Sequence, residues 1–141
     1  MTIADKQILF ACTQNAVRSV IAKSLFETKF YASAGKAASC GVIEGSLDGF
    51  VVAVLQEKGI DISTHEAQAF EALDPADFDL IVSFSREADD KARRWANEGC
   101  ETLFWHVRPP QINERSRDTT LESYRQIREQ IDRLLTDYFV R

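Results

Sequence analysis

Cys12 and Arg18 frame a short polar stretch, Cys12-Thr13-Gln14-Asn15-Ala16-Val17-Arg18, and Ser19 follows it directly. A thiol and a guanidinium at the two ends of one loop suit nucleophilic attack on a phosphate-like oxyanion. The thiolate supplies the nucleophile, and the guanidinium offers a pair of donors to two oxygens. The spacing alone is weak, because three cysteines in 141 residues meet an arginine at that distance by chance fairly often. The setting strengthens it. An apolar run, Gln7-Ile8-Leu9-Phe10-Ala11, feeds the loop, and a helical pattern from Val20-Ile21-Ala22 leaves it. The loop then lies at a helix N-terminus, where unpaired backbone N–H groups and the helix dipole favour an anion. A thiol held there ionises readily.

The elements that must hold this loop follow from pattern and punctuation. A strand is expected at 6–11, a helix at 18–29 and a short strand at 30–34, with a Gly/Ser-rich loop at 35–46. Ser46-Leu47-Asp48 then opens a helix with Phe50, Val51, Val54 and Leu55 on one face, and Gly59 closes it. A buried strand is expected at 77–84, a helix at 86–97 and a fourth strand at 101–105. Thr119 and Glu122 read as a capping box. The last helix carries Leu121, Tyr124, Ile127, Ile131, Leu134, Leu135 and Tyr138 as a core stripe. Strands alternating with helices give an α/β fold, a parallel sheet with helices on both faces. Ligands bind at the carboxyl ends of such strands, so the loops after the first and fourth strands can face one pocket.

With those residues in place, the chain resembles the low-molecular-weight protein tyrosine phosphatases, a family that includes the thioredoxin-coupled arsenate reductases. The family loop reads Cys-x-Gly-Asn-x-Cys-Arg-Ser after a first strand, and Cys12, Asn15, Arg18 and Ser19 match it. Ser33-Ala34-Gly35 is similar to the end of the family's second strand. Gly59-Ile60-Asp61-Ile62-Ser63-Thr64-His65 is similar to its Gly-Ile-x-x-Ser-x-His segment, and Phe78-Asp79-Leu80-Ile81-Val82 to its third strand. The resemblance covers nearly the whole chain. It implies one phosphatase-like domain over 1–141 with a four-stranded parallel sheet of order 2-1-3-4. It implies Cys12 as the nucleophile that becomes phosphocysteine, Arg18 as the clamp on two phosphoryl oxygens and Ser19 as the hydroxyl donor to the thiolate. Thr13, Gln14, Asn15, Ala16 and Val17 would line the anion. Asn15 would hold a strained loop conformation, which Asn tolerates at positive φ, braced by Ser33 and His65. The blander readings are a surface residue at His65 and a buried apolar residue at Cys12.

The chain departs from the family pattern at telling places. Gln14 stands where the family usually has Gly, Val17 where it has a second loop cysteine, and Val20 where it has Pro. Val17 removes a partner that protects the nucleophile as a disulfide in many relatives. In Phe104-Trp105-His106-Val107-Arg108-Pro109-Pro110-Gln111, Pro109 falls where the family's general acid Asp is expected. General acid catalysis is typically worth about 10²–10⁴-fold. His106, Glu114 and Asp118 are conceivable substitutes, and each also reads as a solvated loop residue. The family's aromatic pocket wall falls at Ser39-Cys40-Gly41, which offers no ring. The two further cysteines of an arsenate reductase fall at Ser85 and Ala92.

The formal charge of −5 argues against nucleic acid or an anionic membrane as a partner. No apolar run approaches a membrane span and no charged-then-apolar leader opens the chain. Three cysteines without paired spacing suggest a reducing, cytoplasmic setting. No cofactor or metal is expected. The resulting expectation is a cysteine-dependent phosphatase lacking its usual acid, acting on a phosphorylated substrate or binding free phosphate. A phosphate-binding pseudophosphatase is the alternative, and an arsenate reductase the third reading.

Overall fold

The computed structural model describes residues 6–30 and 36–140. The chain runs β1 (Gln7–Cys12), α1 (Arg18–Phe30), β2 (Lys36–Gly41), α2 (Gly49–Gln56), β3 (Leu80–Ser83), α3 (Arg86–Trp95), β4 (Glu101–Phe104) and α4 (Arg117–Phe139). Two 3-10 turns, Phe70–Ala72 and Pro75–Asp77, precede β3. The four strands form one parallel sheet in the order β2-β1-β3-β4. The expected α/β architecture and strand order are therefore present.

Period-two alternation along the strands divides the core between two faces. Ile8, Phe10 and Cys12 of β1 and Leu80 and Val82 of β3 join the cluster built with α1, α2 and α4. Leu9, Ala11 and Ile81 point the other way, into a smaller cluster with Cys40, Phe70, Ala88 and Ala92. A strand buried on both faces needs apolar residues at successive positions, which is why 8–11 reads as an unbroken apolar run. β1 lies between β2 and β3, so the chain reverses its direction of winding there. The carboxyl end of β1 thus opens on a crevice, and the Cys12 loop sits in it.

Two expectations need correction. Against the strand expected at 30–34, Phe30 ends α1 and β2 runs Lys36–Gly41, while 31–35 fall outside the described residues. Ser33-Ala34-Gly35 therefore precedes β2 rather than ending it. The strand Lys-Ala-Ala-Ser-Cys-Gly carries no β-branched or aromatic residue, so propensity gives no signal for it. It is held by pairing along its full length with β1, from Gln7↔Lys36 to Cys12↔Gly41. The last helix begins earlier than Thr119. Ser116 caps it, accepting from Thr119 N at 3.1 Å, and Glu122 pairs instead with Arg125.

Elsewhere the punctuation works locally. Asp48 caps α2 through Phe50 N at 2.8 Å. Its other oxygen accepts the Tyr124 hydroxyl at 2.7 Å, tying α2 to α4. After α2, Gly59 N donates to Gln56 O and Ile60 N to Leu55 O. This is a Schellman closure, and Gly59 takes the required positive φ of 75°.

Candidate functional site

The loop from Cys12 to Ser19 is tied down from three sides. On the β2 side, Val42 N, Ile43 N and Gly45 N donate to the carbonyls of Cys12, Thr13 and Gln14 at 3.1, 3.0 and 2.8 Å. The Asn15 carbonyl lies 3.1 Å from His65 Nε2, so that ring nitrogen carries the hydrogen. The Val17 carbonyl accepts from Ile21 N at 2.9 Å, in the first turn of α1. In a planar trans peptide the carbonyl and the following N–H point in opposite directions. With the carbonyls of residues 12–15 turned outward, the N–H groups of Thr13, Gln14, Asn15 and Ala16 turn inward. Among the hydrogen bonds of the described residues, none is donated by a backbone N–H from Thr13 to Arg18. Successive free donors around a concavity at a helix N-terminus make an anion cradle.

Asn15 has φ 54°, the one positive φ of a non-glycine residue among those described. Its fully buried side chain is satisfied at both ends. Oδ1 accepts Gln68 N at 3.0 Å, and Nδ2 donates to Ser19 Oγ at 2.9 Å. The Ser19 oxygen thus receives a hydrogen from Asn15 and lies 3.0 Å from Cys12 Sγ. A thiolate only accepts, so against an ionised Cys12 the Ser19 hydroxyl is the donor.

Arg18 closes the loop at the start of α1. Its Nη1 donates to Phe84 O at 3.1 Å and Val107 O at 2.8 Å. One nitrogen therefore gathers the carboxyl ends of β3 and β4 against the loop, which leaves the other donors of the planar fork for an anion. Burial pushes the guanidinium down from its usual range, while the Cys12 thiolate and the Glu87 carboxylate push it back up.

Two further residues take part that the sequence did not single out. Gly41, at the end of β2, faces the loop so closely that a Cβ there would lie 2.5 Å from Ile43 O and 2.7 Å from Asn15 N. Gln68 is a three-way tie: its N–H holds Asn15, its side-chain amide donates to Ser39 O at 2.9 Å, and its carbonyl accepts Gly41 N at 2.8 Å. The phenylalanine and valine carbonyls that hold Arg18 leave no mark in sequence at all. Gly41 could have been found from the glycine that ends a small-residue strand beside a tight loop.

The residues considered as substitute acids lie elsewhere. His106, Pro109, Glu114 and Asp118 are exposed. His106 packs its ring near Phe104. His106 and Glu114 help line a groove against α4 that includes Ile127 and Gln130 and no residue of the Cys12 loop. Asp118 stands in the first turn of α4. Ser33 falls outside the described residues. Among those described, no group of acidic, histidine or cysteine side chains has the arrangement of a metal site. No described helix is long and apolar enough to cross a membrane.

The other thiols are placed apart from Cys12. Cys40 belongs to the cluster on the opposite face of the sheet, and burial pushes its thiol far up. Cys100 precedes β4, at the amino edge of the sheet, where Leu80 pairs with Glu101. Burial raises its thiol too.

A parallel α/β sheet with a thiol, an anion cradle and a guanidinium at the carboxyl end of its central strand defines a class of cysteine-dependent phosphatase folds. The chain belongs to the low molecular weight phosphotyrosine protein phosphatase family, whose model matches residues 7–141. It is a divergent member. It is 27% identical over 130 residues to the glutaredoxin arsenate reductase of Synechocystis sp. (strain ATCC 27184 / PCC 6803 / Kazusa), covering 89% of this chain and 90% of that one. The low molecular weight protein tyrosine phosphatase from T. tengcongensis superposes with a TM-score of 0.78 at 24% identity, covering 93% of this chain and 95% of that one. Vibrio vulnificus Wzb in complex with benzylphosphonate superposes with a TM-score of 0.77 at 17% identity, covering 96% and 97%. At these identities the two structures show a shared fold.

Proposed function

We propose that this chain is a cysteine-dependent phosphomonoester hydrolase, working through a phosphocysteine on Cys12 and without the family's Asp acid. The observation that carries the reading is the buried relay from Asn15 through Ser19 to Cys12, set in a loop whose free N–H groups face inward. Cys12 Sγ attacks phosphorus, the cradle and Arg18 hold the equatorial oxygens, and water then releases phosphate. Oxyanion binding is supported by the phosphonate carried by the Wzb neighbour. Residues 1–141 act as one domain, in a reducing cytoplasm that keeps Cys12 a free thiol.

Pro109 favours a second reading, a phosphate-binding protein with little turnover. The arsenate reductase reading draws on the Synechocystis relative. A relay of three cysteines is opposed by the placement of Cys40 and Cys100, on the far face and the far edge of the sheet.

p-Nitrophenyl phosphate at mildly acid pH decides between the first two readings. Turnover is expected in the wild type and not in Cys12→Ser. Iodoacetate should label Cys12 ahead of Cys100 and Cys40, whose thiols are both pushed up, and inorganic phosphate should protect Cys12 alone. Phosphate protection without any turnover selects the binding protein. Labelling of Cys12 that phosphate leaves untouched sinks both.

A further inference from the structure

The hydrogen bonds of the loop reach one carboxylate. Thr13, directly after Cys12, places its hydroxyl 3.0 Å from Glu87 Oε2 and 3.0 Å from Ser85 Oγ. Ser85 caps α3 and accepts Ala88 N at 3.2 Å. A carboxylate only accepts, so the order is fixed: Ala88 N–H to Ser85, Ser85 to Thr13, Thr13 to Glu87. Glu87 is also one of the two anionic groups that act on the Arg18 guanidinium, the other being Cys12. Arg18 Nη1 bridges Phe84 and Val107, so the mouth of the loop lies between the start of α3 and the segment leading to Pro109. Glu87 stands on the α3 side of that mouth. Among the described residues it is the carboxylate that hydrogen-bonds to a loop side chain, whereas Glu114 lines another groove.

We propose that Glu87 is the catalytic acid and base of this site, in place of the aspartate missing at Pro109. This rests on the hydrolase reading above. In the first step the S–P bond to Cys12 forms as the ester P–O bond breaks, and the Glu87 proton passes to the leaving oxygen. In the second, water attacks phosphorus, its proton returns to the Glu87 carboxylate, and the S–P bond breaks to give phosphate and thiolate. The Thr13 hydroxyl aims the group in both states, since it accepts from a protonated Glu87 as well as donating to an ionised one.

A structural role for Glu87, at the favourable end of the α3 dipole, predicts equal effects on all substrates. An acid predicts a split by leaving group. Wild type and Glu87→Gln are compared on p-nitrophenyl phosphate and phenyl phosphate, with inorganic phosphate as inhibitor. Glu87→Gln is expected to lose about 10²-fold on phenyl phosphate and less than about tenfold on p-nitrophenyl phosphate, with phosphate inhibition retained. If Glu87→Gln no longer binds phosphate, Glu87→Ala takes its place with the same split expected. Equal losses on both esters, or no loss on either, overturn the proposal while a turning-over wild type keeps the hydrolase reading. A wild type inert toward both esters overturns the two together.

Discussion

The loop after β1 and the loop after β4 meet at one guanidinium and are built in opposite ways. From Cys12 to Ser19 the side chains of Cys12, Asn15 and Ser19 are buried and hydrogen-bonded. Each of the carbonyls of residues 12–15 is taken by a group outside the loop. From His106 to Arg115 the chain touches the site through the Val107 carbonyl, and most of its residues are exposed. That segment is pinned to α4 instead, by Asn113 N on Thr120 Oγ1 and Gln111 N on Ser123 Oγ, both at 2.8 Å. The contrast separates two tasks of a phosphatase. Binding an oxyanion needs a rigid cradle, and the Cys12 loop is built as one. Protonating a leaving group needs one acid at the mouth; Pro109, where the family resemblance expects it, offers none, while Glu87 reaches the cradle from α3.

If that division holds, the largest effect belongs to Arg18→Ala. It takes away the paired charge for a partly buried anion and the stitch between β3 and β4. Breaking such a pair typically costs about 3–5 kcal/mol; Arg18 is only half-buried, so the low end applies, about 10²-fold weaker phosphate binding. Isothermal titration with phosphate measures it. A change of less than about threefold would show that the backbone cradle alone carries the anion and that the guanidinium serves the strands.

Gly41→Ala is expected to come next. The added Cβ would meet Ile43 O at 2.5 Å and the backbone of Asn15 and Gln14 at 2.7 and 2.8 Å, closer than atoms pack, and backbone cannot swing aside like a side chain. Overpacking of this kind costs about 1–3 kcal/mol. The loss should appear both in thermal unfolding and in phosphate affinity, because part of the strain falls on Gln14 and Asn15. A variant that unfolds early but binds phosphate normally would mean that the cradle tolerates a shift of β2, against the rigidity claimed for it.

Much of this was readable before the structure. The apolar run of β1 and the Cys-x5-Arg-Ser spacing place the thiol and the guanidinium at the end of the first strand, while the strand order came from the family resemblance. The positive φ of Asn15 is one that its residue type tolerates, and the family resemblance is what pointed to it. β2 was misplaced because its pairing is set by β1 and by contact with the loop, and neither leaves a propensity signal in Lys-Ala-Ala-Ser-Cys-Gly. Gln68 and Glu87 were missed because an amide and a carboxylate in mid-sequence look like surface. Their roles come from which loop they lean on, which is tertiary. The carbonyls of Phe84 and Val107 carry no side-chain identity to read.

The smallest effect is expected at the foot of α4, the helix on which the open loop hangs. Glu57, just past α2, takes Arg125 Nη2 at 2.8 Å and Arg128 Nη1 at 2.7 Å. Hydrogen bonds from these two guanidinium groups hold its carboxyl down at about 2, below the usual 4.5. A folded value below the unfolded one stabilises above the unfolded value and loses that contribution as pH falls through the folded one. The window is therefore about pH 4.5 down to about pH 2. The Glu57 side chain is 37% exposed, so solvent screens the pair and the contribution at neutral pH is about 1 kcal/mol or less. Glu57→Gln should lower urea stability by that amount at pH 7, with a smaller gap at pH 3. Phosphate affinity should stay unchanged at pH 7, since Glu57 anchors α4 and no bond of the cradle passes through it. A gap as wide at pH 3 as at pH 7 would deny the charge its part. A fall in phosphate affinity would break the separation of the two regions, by showing that the seating of α4 reaches the Cys12 loop.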